Sequence, residues 1–222
     1  MMELKKKIIE RLMKHDTGGE FSHLSALPKA SVLIPLFIKE GRLHVLLTVR
    51  SIKLKHNAGE VCFPGGKSDP KDQDEIHTAL REAEEEICLP PQTVEVVCRF
   101  CPVINQRGLL VTPVVSFISE FFQAHPNPDE VSDVFSVPLE FFMKEADHTA
   151  YTVPNTDFLT HSFFYTDPDT DKIYHIWGLT AFLIVLLAVL IFERRPEFEV
   201  GFDVENPLVA ARRLLERRLS KL

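Results

Sequence analysis

The sequence predicts a mixed α+β fold, in which a β-sheet is packed against helices. Three observations carry this: strand-like runs come first, a helical segment follows at about 74–88, and strand-like runs resume after it. No internal repeat or low-complexity tract breaks that order. At 222 residues the chain can form one well-buried core with extensions, and a second full domain would be cramped.

The chain opens with MMELKKKIIERLMKHDTGG, where Leu4, Ile8, Ile9, Leu12 and Met13 recur at helical spacing among Lys and Glu. This predicts an amphipathic helix stopped by Gly18 and Gly19, with its apolar stripe packed inward. The segment has no apolar stretch of the signal-peptide kind, and the acidic Glu3 and Glu10 argue against a transit peptide. Strands are expected at 31–39 and 43–51, joined through Glu40-Gly41-Arg42 as a hairpin. A loop rich in Lys, His and Gly leads to Val61-Cys62-Phe63 and then to Pro64-Gly65-Gly66. The helix from about Asp74 to Cys88 is closed by Pro90-Pro91. Further strands are expected at 94–103 and 109–119, and 131–142 combines a short strand with a helical turn. Runs at 162–167 and 172–178 flank Asp167-Pro168-Asp169-Thr170-Asp171, which has the composition of a turn.

The apolar segment 176–192 approaches the ~20 residues that cross a bilayer. Its first residues belong to the preceding strand, and its helical part, from about Leu179 to Phe192, is short for a span. We expect it to be buried on the sheet, and no membrane span is expected. A last helix is expected to open with Asn206 as N-cap and Pro207 at its first position. Leu208, Ala211, Leu215 and Leu219 give it one apolar stripe, while Arg212, Arg213, Arg217 and Arg218 form a solvated face. The chain ends in Ser220-Lys221-Leu222, the address read by the peroxisomal import receptor, which predicts a peroxisomal location. The expected organisation is therefore an N-terminal helix and linker (1–27), a catalytic domain (28–195), and a C-terminal helix with the targeting tripeptide (196–222).

Composition narrows the function. A net charge of −7 argues against a nucleic-acid coat or a membrane-surface binder, both of which need basic surface, so no nucleic-acid partner is expected. An acidic protein that handles phosphates needs a local basic pocket or a bound cation. Four cysteines stand at 62, 88, 98 and 101. Cys98 and Cys101 form a C-x-x-C inside a strand-like run, where residues three apart point to opposite faces and cannot share one zinc. They are read as buried structural thiols.

The informative stretch is Leu80-Arg81-Glu82-Ala83-Glu84-Glu85-Glu86-Ile87. At 100° per residue Leu80, Ala83 and Ile87 share the core face, and Glu82, Glu85 and Glu86 fall opposite, at i, i+3 and i+4. Like charges so spaced cost a helix a few tenths of a kcal/mol per pair. A hard divalent cation would offset that, because Mg²⁺ takes oxygen ligands. From the helix alone, a solvated acidic face is the favoured reading of these residues. Upstream, Phe63-Pro64-Gly65-Gly66 is expected to form a glycine loop, where backbone can approach a phosphate closely. The two features together point to diphosphate chemistry.

GGKSDPKD followed by REAEEEICL resembles the Nudix box, G-x5-E-x7-R-E-U-x-E-E-x-G-U with U apolar. Gly66 takes its first position, and Arg81, Glu82, Glu85 and Glu86 fill its acidic core. In three departures, Asp72 stands for the first Glu, one extra residue separates it from Arg81, and Cys88 stands for the late Gly. A second stretch, Leu46-Leu47-Thr48-Val49-Arg50-Ser51 with Lys55, Gly59 and Phe63-Pro64-Gly65-Gly66, is similar to the LLTxRS-x3-R-x3-G-x3-FPGG pattern of coenzyme A diphosphatases within that family. Lys55 replaces the Arg of the pattern, keeping charge but losing the bidentate fork.

The resemblance implies a Nudix fold, a mixed sheet sandwiched between α-helices. It implies hydrolysis of coenzyme A and acyl-coenzyme A to 3′,5′-ADP and (acyl-)4′-phosphopantetheine, with Mg²⁺ or Mn²⁺ as cofactor. Glu82 and Glu86 would be the metal ligands, and Glu85 would complete the site or help to activate water. Arg81 would order the carboxylates, and Glu130 is a further candidate acid, for which a capping or loop role serves equally. Arg50, Lys55, Gly65 and Gly66 are the candidate substrate-binding residues, the two cations being read equally as plain surface charges. Other readings are a hydrolase of different nucleoside diphosphate derivatives, such as NADH or capped RNA, and a non-catalytic coenzyme A-binding module.

Overall fold

The computed structural model describes residues 2–24, 26–105, 107–152 and 159–220. Helix α1 (Met2–Met13) precedes strands β1 (Lys29–Lys39), β2 (Arg42–Arg50), β3 (Val61–Cys62) and β4 (Gly65–Lys67). Helix α2 (Glu75–Ile87) leads to β5 (Glu95–Arg99), β6 (Val103–Ile104), β7 (Leu110–Phe117) and β8 (Val131–Pro138). Strands β9 (His148–Thr152), β10 (Leu159–Thr166) and β11 (Ile173–Trp177) precede α3 (Gly178–Phe192) and α4 (Pro207–Leu219).

The main sheet is mixed. Its path runs β3-β2-β1-β7-β5, with β4 paired to β1, β6 to β7 and β8 to β2. Strands β1 and β7 are parallel, from Lys29↔Leu110 to Leu36↔Phe117, and β1 and β2 form the expected antiparallel hairpin. The alternation of a strand divides β1 between two cores. Leu33 and Phe37 face α2, joining Ala79, Ala83 and Ile87, whereas Ile34, Leu36 and Ile38 face the core built around α3. The sheet is therefore sandwiched between helices, as expected. Strands β9, β10 and β11 form a separate antiparallel sheet against α3.

Helix α3 is buried continuously from Ala181 to Ile191, which explains why its sequence shows no polar face. Fifteen residues make a helix of about 22 Å, short of the ~30 Å hydrocarbon core of a bilayer. Among the described residues no helix is long and apolar enough to cross a membrane. Ile8 and Leu12 of α1 and Ala211 and Leu215 of α4 enter the same core as α3.

Four details differ from the sequence expectation. Gly65 and Gly66 lie in β4 and pair with Val32 and Ser31, so this stretch is a strand and not a loop. The run expected at 94–103 breaks into β5 and β6 around Phe100-Cys101-Pro102, where proline supplies no ladder donor. Strand β9 carried no strand signature of its own, and it forms by pairing with β10. Asn206 precedes α4, but its side chain does not cap the helix and donates instead to Asp203. Cys98 and Cys101 are free, buried thiols, and burial pushes both up to about 12.

Candidate active site

Helix α2 is held firmly at both ends. The Asp74 carboxylate accepts from the His77 N–H at 2.8 Å, which caps the first turn. At the other end Cys88 adopts the left-handed conformation, φ 56°, and its N–H donates to Glu84 O at 2.9 Å. Leu89 N–H reaches back to Ala83 O at 3.3 Å, completing a Schellman-type end. Cys88 thus does the work usually given to glycine, at the cost of a Cβ in a left-handed residue.

The packed face of α2 is wider than the sequence suggested. Ala79, Ala83 and Ile87 are fully buried, and Glu86 is only 4% exposed because it lies against β4. Gly65 N–H donates to Glu86 Oε2 at 3.0 Å. Gly65 has φ 154°, and a Cβ there would come within 2.7 Å of Val32 Cα. A Cβ on Gly66 would come within 2.5 Å of Glu82 Oε2. Both glycines are therefore required by protein–protein proximity: one admits β1, the other the Glu82 carboxylate.

Glu82, Glu86 and Glu130 present carboxylate oxygens that all lie within 4.8 Å of one another. Glu130 arrives from the loop before β8. Burial, reinforced by Glu82 and Glu130 against the pull of the Gly65 N–H and Arg50, pushes Glu86 up to about 8. Burial also raises Glu82, with Glu85 and Glu130 adding to it and Arg81 opposing. Three clustered carboxylates, two of them shielded from water, are costly as anions unless a cation joins them. An all-oxygen donor set suits a hard divalent ion, so the residues fit the metal that the resemblance implied.

Arg81 ties the helix to the preceding loop. Its Nε and Nη2 donate to the two oxygens of Asp72, each at 2.9 Å, and Nη2 also donates to Lys67 O at 3.0 Å. Its Nη1 lies 3.0 Å from Glu82 Oε1 and 2.9 Å from Glu85 Oε2. Asp72 also accepts from Thr78 Oγ1 and from Asp69 N–H, so its carboxyl is held well below the usual range, chiefly by Arg81. The extra residue between Asp72 and Arg81 does not prevent this bidentate pair.

The structure sorts the remaining candidates. Glu85 stands outside the three-carboxylate cluster, with its side chain 53% exposed and bound to Arg81. Arg50 lies near Glu86 and Cys62, and its Nε is buried without a hydrogen-bond partner among the described residues. Lys55 is exposed on the loop between β2 and β3, and it is Lys53 that pairs with Asp129, at 2.7 Å. Ser220 follows α4, while Lys221 and Leu222 of the targeting tripeptide lie outside the described residues. Sequence reading did not identify Ser51 and Asn127 as the ties of the Glu130 loop, because those contacts are set by distant backbone carbonyls.

A sheet between helices, with acidic residues of one helix set against a glycine strand, defines the class. The family model described as NUDIX domain matches residues 27–154, and the chain belongs to the Nudix family of hydrolases. It is 47% identical over 216 residues to the peroxisomal coenzyme A diphosphatase NUDT7 of Mus musculus, covering 96% of this chain and 91% of that one. It is 42% identical over 175 residues to Nudix hydrolase 15, mitochondrial, of Arabidopsis thaliana, covering 77% of this chain and 61% of that protein. It is 40% identical over 159 residues to the Nudix hydrolase NudL of Photorhabdus laumondii, covering 72% and 82%.

Proposed function

We propose that this protein hydrolyses the diphosphate of coenzyme A and acyl-coenzyme A, giving 3′,5′-ADP and (acyl-)4′-phosphopantetheine. The observation that carries the chemistry is the cluster of Glu82, Glu86 and Glu130. The substrate class is supported by the similarity to the Mus musculus diphosphatase over 96% of the chain, and by the Leu46–Gly66 pattern.

In this reading Glu82, Glu86 and Glu130 hold Mg²⁺ or Mn²⁺, which when bound polarises the diphosphate oxygens and acidifies a water. Arg81 fixes the Glu82 rotamer and leaves Glu85 at the rim. Glu85 is engaged by Arg81, so Glu130, through the carboxylate oxygen it does not give to the cation, is the better placed of the two candidate bases to take the proton of the attacking water. The water oxygen bonds to one phosphorus, the bridging P–O bond breaks, and the leaving phosphate carries away the electron pair. Arg50, whose charge acts on Glu86, is the guanidinium that would meet a phosphate at this site, and Lys55 extends the positive rim.

A peroxisomal location and recognition by the import receptor through Ser220-Lys221-Leu222 belong to the same proposal, as does the division at 27/28 and 195/196. The test is a substrate panel of coenzyme A, acyl-coenzyme A esters and NADH, with and without Mg²⁺ or Mn²⁺, with products identified by mass. Cleavage of NADH alone would reassign the substrate.

A further inference from the structure

We propose that Ser51 is a positioning residue, which sets Glu130 against Glu82 and Glu86. The proposal rests on the reading of that cluster as a cation site. A carboxylate on a free loop would swing into water, away from two like charges. Glu130 therefore needs ties, and two elements supply them.

The first tie is to α2. His125 N–H donates to Ile87 O at 3.0 Å and Asn127 N–H to Glu86 O at 2.8 Å. These satisfy carbonyls at the end of the helix that lack helical partners. Asn127 O then accepts from Glu130 N–H at 3.0 Å and Val131 N–H at 2.8 Å, so the chain turns beside the helix that carries the other two carboxylates.

The second tie is Ser51, at the end of β2. Its N–H donates to Glu130 O at 2.8 Å, and its Oγ donates to Pro128 O at 3.0 Å. The same Oγ lies 3.4 Å from Lys53 N–H, its donor, which fixes how the hydroxyl points. Ser51 is only 2% exposed, so neither bond competes with bulk water. The β2–β8 register also slips here: Val49 faces Asp133 and Arg50 faces Val131, leaving Ser132 as an extra residue. Such a bulge re-aims the adjoining chain. Ser51 grips the residue on each side of Asp129, so the Glu130 backbone is set from β2 while Asn127 sets it from α2.

The test is Mn²⁺ binding to the full chain by isothermal titration calorimetry, for Ser51→Ala, Glu130→Gln, the double variant and Glu86→Gln. Removing a group that orients a ligand is expected to weaken binding about tenfold in Ser51→Ala. In the Glu130→Gln background the same change is expected to cost less than about twofold, because its target is already gone. Unchanged binding in Ser51→Ala, or an equal loss in both backgrounds, overturns the proposal. Should Ser51→Ala fail to fold, Ser51→Cys, with a similar shape and a weaker donor, is read by the same two outcomes. Undiminished Mn²⁺ binding by Glu86→Gln would instead overturn the cation-site reading itself.

Discussion

Gly66 and Glu82 are in close contact across the β4–α2 interface: a methyl group on Gly66 would come within 2.5 Å of the Glu82 carboxylate. Gly66 itself has no positive φ, so an Ala there suits the backbone and acts only through its side chain. Gly66→Ala is expected to push Glu82 out of the cluster and lower kcat/KM about tenfold or more, with little change in Tm. Steady-state kinetics beside a melting curve checks this.

Cys88 occupies a left-handed position at the C-cap of α2, φ 56°, where a side chain is strained by about 1 kcal/mol. Cys88→Gly is expected to raise Tm by about 2–4 °C for a chain of this length and to leave kcat unchanged. Thermal unfolding decides it, and a lower Tm would mean that the Cys88 side chain makes a stabilising contact.

Asp72 has its folded carboxyl depressed below 3.8, with Arg81 as the main cause. A depressed acid stabilises the fold above its unfolded pKa, and that contribution is lost as pH falls below about 4. Asp72→Asn is expected to cost about 2 kcal/mol near neutrality and nothing further at low pH, so the two stability curves converge on acidification. Urea unfolding across that range is the measurement.

His148 and His161 form a pair, with Nε2 of the first 3.0 Å from Nδ1 of the second, and His161 Nε2 is 3.1 Å from Val200 O. Burial lowers His148 from 6.5 to about 4, and it lowers His161 too. Between these values the unfolded chain binds more protons than the folded one, so stability falls as pH drops from 6.5 toward 4. His148→Phe keeps a ring over Phe198 and is expected to flatten that slope in urea unfolding at about pH 7 and about pH 5.

The parts of this fold that were legible are those governed by local pattern. The apolar runs of β1 and β2, the hairpin at Gly41 and the span of α2 follow from residue type, helical period and turn residues. Gly65 and Gly66 read as a loop because glycine marks turns. Their strand geometry comes from β1, and their lack of side chains from the nearness of Val32 and Glu82. The helical wheel placed Glu86 on a polar face, since it cannot register that β4 lies across that face. Glu130 was visible as an acid, yet its place beside Glu82 and Glu86 depends on backbone bonds to Ser51 and Asn127 from elements distant in sequence.

In the proposed function, the Glu82–Glu86–Glu130 cluster is what cleaves the diphosphate of coenzyme A. The direct measurement is 3′,5′-ADP release from coenzyme A, followed by mass, in wild type and in Glu86→Gln over a titration of Mg²⁺. We expect release by the wild type that requires the cation, and at least a hundredfold less, on the order of the loss of a metal-site residue, by a folded Glu86→Gln. No 3′,5′-ADP from the wild type at any Mg²⁺ concentration, or equal release by Glu86→Gln, would contradict the claim.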